Sequence, residues 1–547
     1  MHIPRQARPS ASARERATSR TIAAILALWL LLPTFAGLWT SRHAAETAFN
    51  AFGVTMLAIG LLAMPLVLLG SVRALFMFWL PIALLAPVQL YLIYFFGSVP
   101  GDALTKAALQ LGAAETIELL AGFGWMVLLL PLSWIGYVLL WRRIDPALRL
   151  SGQARKALAA CLLMYAAVGL LGEQELGRYV TVPPMLNLAL ASATYPAGNV
   201  VSLMRVRDAA QTGRSPTVPT NARAPDGPQL VILVIGETIR PDHLGINGYA
   251  RNTTPELARL GTALMSFSDV ASTTNHTAGA VPNLVRRVVP GGAVSLVSMF
   301  RDAGFHTSWF SNQQRTVYEP HADLSDFSHA GWHEKMRQDA DLLPMLASCI
   351  KQCGRRQLIV LHMYGSHFPY DERYGRRDQL FEPVFRDVGL SAAAPRFKRE
   401  LINSYDNSLL GTDRFLASVI AHAATADKAA MVLFTSDHGE NLYDDERNMF
   451  MHAGPNPTRR DTMVPLLFWA NDAFATAQAG KIAAMRAQVA APINHLAVMP
   501  TLLDLAGIRY DGENPAQSLA SGRFQPGARM VEGSETGSPP LVFEHLR

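Results

Sequence analysis

The sequence predicts an N-terminal bundle of five transmembrane helices followed by a C-terminal α/β domain with a central, mostly parallel sheet. Two observations carry this. Half of the 547 residues are hydrophobic, and the excess is concentrated before residue 175. Beyond that point, short apolar β-branched runs alternate with helical stretches, and several runs end abruptly in acidic residues or histidine. Strands separated by helices imply a parallel sheet covered on both faces.

The first 20 residues form a basic tail with Arg5, Arg8, Arg14, Arg16 and Arg20. Residues 21–172 hold five apolar stretches, at 21–39, 51–70, 74–96, 117–141 and 157–172. Each approaches the ~20 residues that a helix needs to cross a bilayer core. Pro65, Pro81, Pro87 and Pro131 lie inside them; packed neighbouring helices can satisfy the backbone groups that a proline frees. Arg73 follows the second stretch, and Arg142, Arg143, Arg149, Arg155 and Lys156 follow the fourth. The loops after the first and third hold only Arg42 and Lys106. This asymmetry predicts a cytoplasmic N-terminus, and five spans then put everything after residue 172 on the outer face. No small-residue cleavage site follows the first stretch, so it is read as a retained anchor. The net charge of +5 belongs mainly to the cytoplasmic flanks and makes no case for nucleic acid.

Residues 173–228 read as a membrane-surface segment and linker, with Pro183-Pro184 and a stretch at 211–228 rich in Pro, Thr, Ser, Ala and Gly. Residues 229–547 are ample for one large α/β core. Of three cysteines, Cys161 falls in the fifth apolar stretch, where it reads as a packing residue. Cys349 and Cys353 lie in the outer part, where an oxidising compartment favours a disulfide between them.

Chemistry concentrates at the ends of three apolar runs. Met431-Val432-Leu433-Phe434 leads into Thr435-Ser436-Asp437-His438-Gly439-Glu440, setting a carboxylate beside an imidazole, ligand types that divalent metals bind. Leu230 to Ile235 leads into Gly236-Glu237-Thr238, and Leu358 to Met363 leads towards Gly365-Ser366-His367. Sites in open α/β sheets are built at such strand ends. A metal can activate a hydroxyl nucleophile, and Thr273, Thr274 and Thr277 are all candidates by pattern. His276 reads as a loop residue, His362 as a core histidine, and Asp406 with Asn407 as a helix cap.

Taken in order, the motifs are Val234-Ile235-Gly236-Glu237-Thr238, Asn247-Gly248-Tyr249 with Thr253-Thr254-Pro255, Thr277 with Val281-Pro282, Gly365-Ser366-His367, Tyr405-Asp406-Asn407 and Ser436-Asp437-His438-Gly439-Glu440. In this combination the chain resembles the membrane phosphoethanolamine transferases of Gram-negative bacteria, a branch of the alkaline phosphatase and sulfatase superfamily. The resemblance implies a sulfatase-like, zinc-dependent periplasmic catalytic domain on a multi-pass inner-membrane anchor, acting as a monomer. It implies Glu237, Thr277, Asp437 and His438 as zinc ligands, and Thr277 as the nucleophile that carries phosphoethanolamine. His367 and His452 match histidines that handle the phosphate or a second zinc; Asn312 matches a substrate-contacting asparagine, and Glu118 a membrane-face acid in substrate binding. The implied donor is phosphatidylethanolamine, the released product diacylglycerol, and the acceptor lipid A or the lipopolysaccharide core.

Two departures stand out. Thr273 and Asn283 occupy positions where lipid A-modifying members carry a disulfide around the nucleophile. The stretches Asn312-Gln313-Gln314 and Pro455 to Arg460 look more like members that modify the core sugar. The rival readings are a glycerol phosphate transferase, a sulfatase or phosphodiesterase, and a non-catalytic scaffold that keeps the fold. The Cys/Ser-x-Pro-x-Arg context of sulfatase nucleophiles does not surround Thr277.

Overall fold

The computed structural model describes residues 13–40, 48–96, 124–176 and 221–547, with gaps at 226, 228, 290, 314–320, 328–337, 390–392, 455 and 534–538, together with residues 116, 120 and 218. The chain divides into two compact units.

The first unit is helical. Its described helices are α1 (Ala13–Thr40), α2 (Ala48–Leu69), α3 (Val72–Phe78), α4 (Leu80–Phe96), α5 (Leu129–Arg142) and α6 (Gly152–Leu176). Among the described residues, one helix is long and apolar enough to cross a membrane, over Ala13–Gly37. The stretch expected as a single third span is instead broken: α3 and α4 meet at Trp79 with a bend of 55°. Pro81 explains the break, since its ring lacks an N–H and clashes with the carbonyl four residues earlier. The fourth stretch begins outside the described residues, and Glu118 lies there too; helix resumes at Leu129 after a 3-10 turn. Large apolar side chains face outward, including Leu68, Leu132 and Leu163, the pattern of a helix whose surroundings are apolar on all sides. Cys161 also lies on the surface of this unit, so it is not a packing residue. Indole N–H groups are satisfied by backbone carbonyls: Trp29 donates to Ala83 and Trp79 to Leu62.

The second unit is an α/β domain around a mixed sheet. Among the described residues the eight strands of this sheet are β1 (Gln229–Gly236), β2 (Leu264–Ala271), β3 (His306–Ser311), β4 (Leu324–Phe327), β5 (Arg356–His362), β6 (Ala429–Ser436), β7 (Met463–Ala470) and β8 (Ile493–Asn494). Their order is β8-β2-β7-β6-β1-β5-β3-β4. β7 runs antiparallel to both of its neighbours, and the other pairings are parallel. The mostly parallel sheet is therefore as the sequence predicts. β1 is central, and Leu230 to Ile235 are wholly buried. Such a strand has apolar side chains on both faces because helices cover both. Burying each one fully stabilises the fold by roughly 1.5–3 kcal/mol relative to exposure.

Three helices frame the strand ends: α7 (Thr277–Val285), α8 (Leu342–Gln352) and α9 (Lys398–Ala424). The Tyr405 hydroxyl on α9 donates to the Thr238 carbonyl at 2.7 Å and accepts from the Arg240 N–H at 3.0 Å, pinning the segment after β1. Asp406 and Asn407, expected to cap a helix, sit instead in the middle of α9 and are buried. Their side chains bond to other segments. Asp406 accepts from Tyr249 and Arg251 and pairs with His243, while Asn407 accepts from the Leu380 and Phe381 N–H groups. Cys349 and Cys353, at the C-terminal end of α8, form a disulfide.

Two buried histidines give the domain a pH dependence. His362, at the end of β5, is held down to about 4 by burial. His495 is held down to about 3 by burial and then by nearby Arg287 and His438. Both would titrate near 6.5 when unfolded, so the unfolded chain binds more protons as pH falls below that value. The stability that these residues confer in neutral form is complete above pH 6.5 and is lost on acidification. At pH 5 each is expected to cost about 2 kcal/mol, from 1.36 kcal/mol per pH unit. Thermal unfolding of wild type and His495→Gln from pH 7.5 to 5 checks this. The wild-type midpoint should fall with acid, and the variant should fall less steeply.

Candidate functional site

The register of the sheet builds the site. β1 pairs with β6 so that Gly236 lies opposite Ser436. Glu237 and Asp437 are therefore the first residues beyond two paired strand ends, although 200 positions apart in the chain. The Asp437 N–H donates to the Gly236 carbonyl at 3.0 Å, holding the two ends together. Two glycines permit this crowding. A Cβ on Gly439 would lie 2.2 Å from the Arg460 carbonyl, and one on Gly365, whose φ is +53°, would lie 2.7 Å from the Glu237 carbonyl. Backbone on both sides leaves no room for a side chain, and the positive φ at Gly365 favours glycine in its own right.

Thr277 approaches from the side as the first residue of α7, with His276 as the residue before it. Its hydroxyl donates to Glu237 Oε2 at 3.0 Å and lies 3.2 Å from His438 Nε2. His438 Nε2 lies 3.3 Å from Glu237 Oε1 and 3.4 Å from Asp437 Oδ2. Glu237, Asp437 and His438 are wholly buried. The other ring nitrogen of His438, Nδ1, is 2.9 Å from the Gly439 carbonyl, which orients the ring. Asp437 Oδ1 accepts from the His438 N–H at 2.7 Å. Among the described residues, Glu237 Oε1 and Asp437 Oδ2 are buried without a hydrogen-bond partner.

The electrostatics tell the same story. Burial alone would raise the Glu237 carboxyl, but the charge of the adjacent His438, with His367 and His452 beyond, holds it well below the usual range. Asp437 is driven well above that range by burial and by the Glu237 charge. Against burial, the Asp437 and Glu237 charges lift His438 to about 10. Two buried carboxyl groups thus compete for one positive partner, and each keeps an oxygen that makes no hydrogen bond and lies only 3.3–3.4 Å from His438 Nε2. A cation fits this need. The donor set of two carboxylates, an imidazole and a hydroxyl suits zinc, whose ligands include Asp, Glu and His.

His367 and His452 lie beside the group: a ligand atom from each falls within 4.8 Å of the others and of a Glu237 oxygen. The His452 ring centroid is 4.2 Å from that of His438. His452 Nδ1 lies 3.3 Å from the buried carboxyl of Glu440, which burial pushes up to about 8. Burial and the neighbouring His438 hold His452 itself down to about 3, so it stays neutral. His367 is half-buried, with Nδ1 at 2.7 Å from the Phe368 carbonyl.

Asn312 does not reach these groups. Its amide donates to Asp339 at 2.8 Å, and the same carboxylate accepts from the Tyr364 and Gly365 N–H groups. Its neighbour Gln313 reaches instead, donating to Glu237 Oε2 at 2.6 Å. Thr273 and Asn283 are joined by a hydrogen bond of 3.2 Å. Glu118 lies outside the described residues. Neither Gln313 nor Glu440 stands out in the sequence as a site residue. Glu440 had a signal, being the last residue of the Asp437 motif; Gln313 had none beyond a polar run.

The profile of the sulfatase family matches residues 229–508. The chain is 27% identical over 325 residues to phosphoethanolamine transferase EptC of Escherichia coli strain K12, covering 56% of this chain and 55% of that protein. It is 30% identical over 312 residues to phosphatidylethanolamine transferase Mcr-1 of Escherichia coli, covering 52% and 54%. It thus spans about half the length of the curated relatives it matches. Among solved structures, it is similar to the integral membrane protein lipooligosaccharide phosphoethanolamine transferase A of Neisseria meningitidis, with a TM-score of 0.68 and 21% identity over 91% of this chain and 98% of the other. It is also similar to the C-terminal periplasmic domain of Escherichia coli EptC in complex with Zn, with a TM-score of 0.55 and 24% identity over 60% and 98%. At these identities the structural likeness speaks to the fold.

Proposed function

The chain belongs to the sulfatase family, and on that footing we propose that it transfers phosphoethanolamine from phosphatidylethanolamine to lipopolysaccharide through a covalent intermediate on Thr277. One observation carries the proposal. The Thr277 hydroxyl lies within hydrogen-bonding reach of both Glu237 and His438, where two buried carboxyl oxygens make no hydrogen bond. The names of the curated relatives add the substrate class.

Glu237, Thr277, Asp437 and His438 are the residues that would hold zinc. Bound there, the ion supplies Lewis-acid activation of a hydroxyl and positive charge against phosphoryl oxygens. Thr277 Oγ1 attacks the phosphorus of the donor, and its proton has an acceptor in Glu237 Oε2. The new Thr277 O–P bond forms as the bond from phosphorus to the diacylglycerol oxygen breaks. That oxygen takes a proton, for which half-buried His367 is the assigned donor; His452 is kept neutral by its surroundings. The N-terminus of α7, whose cap residue His276 makes no side-chain hydrogen bond to the helix, stabilises negative charge at the phosphoryl group through the helix dipole. An oxygen of lipid A or of the core then attacks phosphorus and gives its proton to His367, which lost one in the first half; as the Thr277 O–P bond breaks, Thr277 Oγ1 takes back the proton held at Glu237 Oε2.

The membrane part belongs to the same reading: a cytoplasmic tail at 1–20, five spans within 21–172, a surface linker at 173–228 and a periplasmic catalytic domain at 229–547. The long apolar helix over Ala13–Gly37 and the bent α3–α4 pair, both among the described residues, support a membrane anchor. Anchoring keeps the site beside a lipid donor and a lipid-borne acceptor, replacing a three-dimensional encounter with a local one. Mass spectrometry of lipid A and core oligosaccharide, from cells with and without the gene, tests the function. One fraction should gain phosphoethanolamine only when the gene is present. Unchanged spectra in both fractions, with the protein expressed, would overturn the proposal.

A further inference from the structure

Gln313 follows β3, and its backbone is fixed by Ser311: the Gln313 N–H donates to Ser311 Oγ at 3.0 Å, and that hydroxyl donates to the Gln313 carbonyl at 3.1 Å. The side chain is buried and its amide has two targets. Nε2 donates to Glu237 Oε2 at 2.6 Å and to the Met363 carbonyl at 3.3 Å. Glu237 Oε2 therefore accepts from both Gln313 and Thr277, whereas Oε1 has no hydrogen-bond partner and faces His438 Nε2. The two oxygens of one carboxylate have been given different work.

We infer that Gln313 is a positioning residue for the metal site: by holding Glu237 Oε2 it fixes the carboxylate plane and leaves Oε1 as the metal-binding oxygen. The inference rests on the proposed zinc site. The physical reason is general. A ligating carboxylate that can rotate gives up orientational freedom when it binds, and a donor on its outer oxygen removes that freedom beforehand; loss of such partners typically weakens metal affinity about 10- to 100-fold. The bond also ties β3 to the end of β1, across the intervening β5. The role belongs to a side chain able to donate from this distance, so an apolar residue of the same length lacks it and a shorter amide falls short.

The test is zinc affinity of the full-length, detergent-solubilised protein, measured by competition with a chelating dye for wild type, Gln313→Met and Gln313→Asn. Metal-free circular dichroism of each variant reports folding; for a variant that folds only with zinc, the zinc midpoint of folding is the readout. The expected result is a loss of about 10- to 100-fold in affinity for both variants, with wild-type metal-free spectra. Affinities within twofold of wild type for both variants would overturn the inference while leaving the site intact. Wild-type protein that binds no zinc would overturn the metal site itself, a distinct outcome.

Discussion

Thr277→Ala is expected to abolish phosphoethanolamine transfer, with a fall on the order of 10⁴-fold or more, the scale on which removing a covalent nucleophile acts. The two neighbouring threonines are engaged elsewhere: Thr274 Oγ1 bonds His276 Nδ1 at 2.6 Å, and Thr273 accepts from Asn283. The fold should survive. Thr277 is the first residue of α7, and its side-chain hydrogen bonds run to Glu237 and His438, so the stability cost should be about 1 kcal/mol, the net worth of one such bond. Thr277→Ser keeps the hydroxyl and should restore measurable transfer. An assay following phosphoethanolamine onto lipopolysaccharide, with thermal unfolding of the same preparations, checks both halves.

The second large effect is expected at Asp437. Asp437→Asn replaces an anionic donor by a neutral one, and should lower zinc affinity more than 100-fold, with transfer falling by at least about 10³-fold, as when a main source of transition-state charge stabilisation is lost. Stability should move the other way in the metal-free protein. Burial and the Glu237 charge hold the Asp437 carboxyl well above its usual range, a measure of how poorly the fold accommodates its charge. In the metal-free protein that carboxyl is forced to stay protonated, a cost that the unfolded chain does not bear and that a neutral amide avoids, so the metal-free melting temperature should not fall and is expected to rise. Function bought at the expense of stability is typical of active sites. Zinc content by elemental analysis, set against melting temperature with and without chelator, separates these effects. A variant that lost both metal-free stability and zinc would point instead to a structural role for Asp437.

Much of the site could be read from the chain because its two halves share a physical signature. Leu230 to Ile235 and Met431 to Phe434 are apolar runs that stop at a carboxylate, and strands of that kind end at the edge of a buried sheet. Their pairing, Gly236 opposite Ser436, follows from two parallel strands lying side by side in the sheet. Residues recruited from polar segments were harder to read. Gln313 lies in a polar run with no periodicity, and only the packing of β3 beside β5 brings its amide to Glu237. Asp406 misled for the opposite reason: a polar residue in a helix suggests a cap, whereas here it is buried in mid-helix because Tyr249, Arg251 and His243 converge on it. The break at Trp79 shows the limit of hydropathy, which counts apolar residues and overlooks what Pro81 does to the backbone.

The central claim is that Thr277 carries the phosphoethanolamine group. The direct measurement is peptide mapping by mass spectrometry after the purified full-length protein is incubated with vesicles containing phosphatidylethanolamine and no acceptor. The peptide holding Thr277 should be heavier by one phosphoethanolamine group, with one diacylglycerol released per modified chain, and the Thr277→Ala protein should carry no such mass. An unmodified Thr277 peptide in protein that goes on to modify added lipopolysaccharide, or the same mass on a different residue, would contradict it.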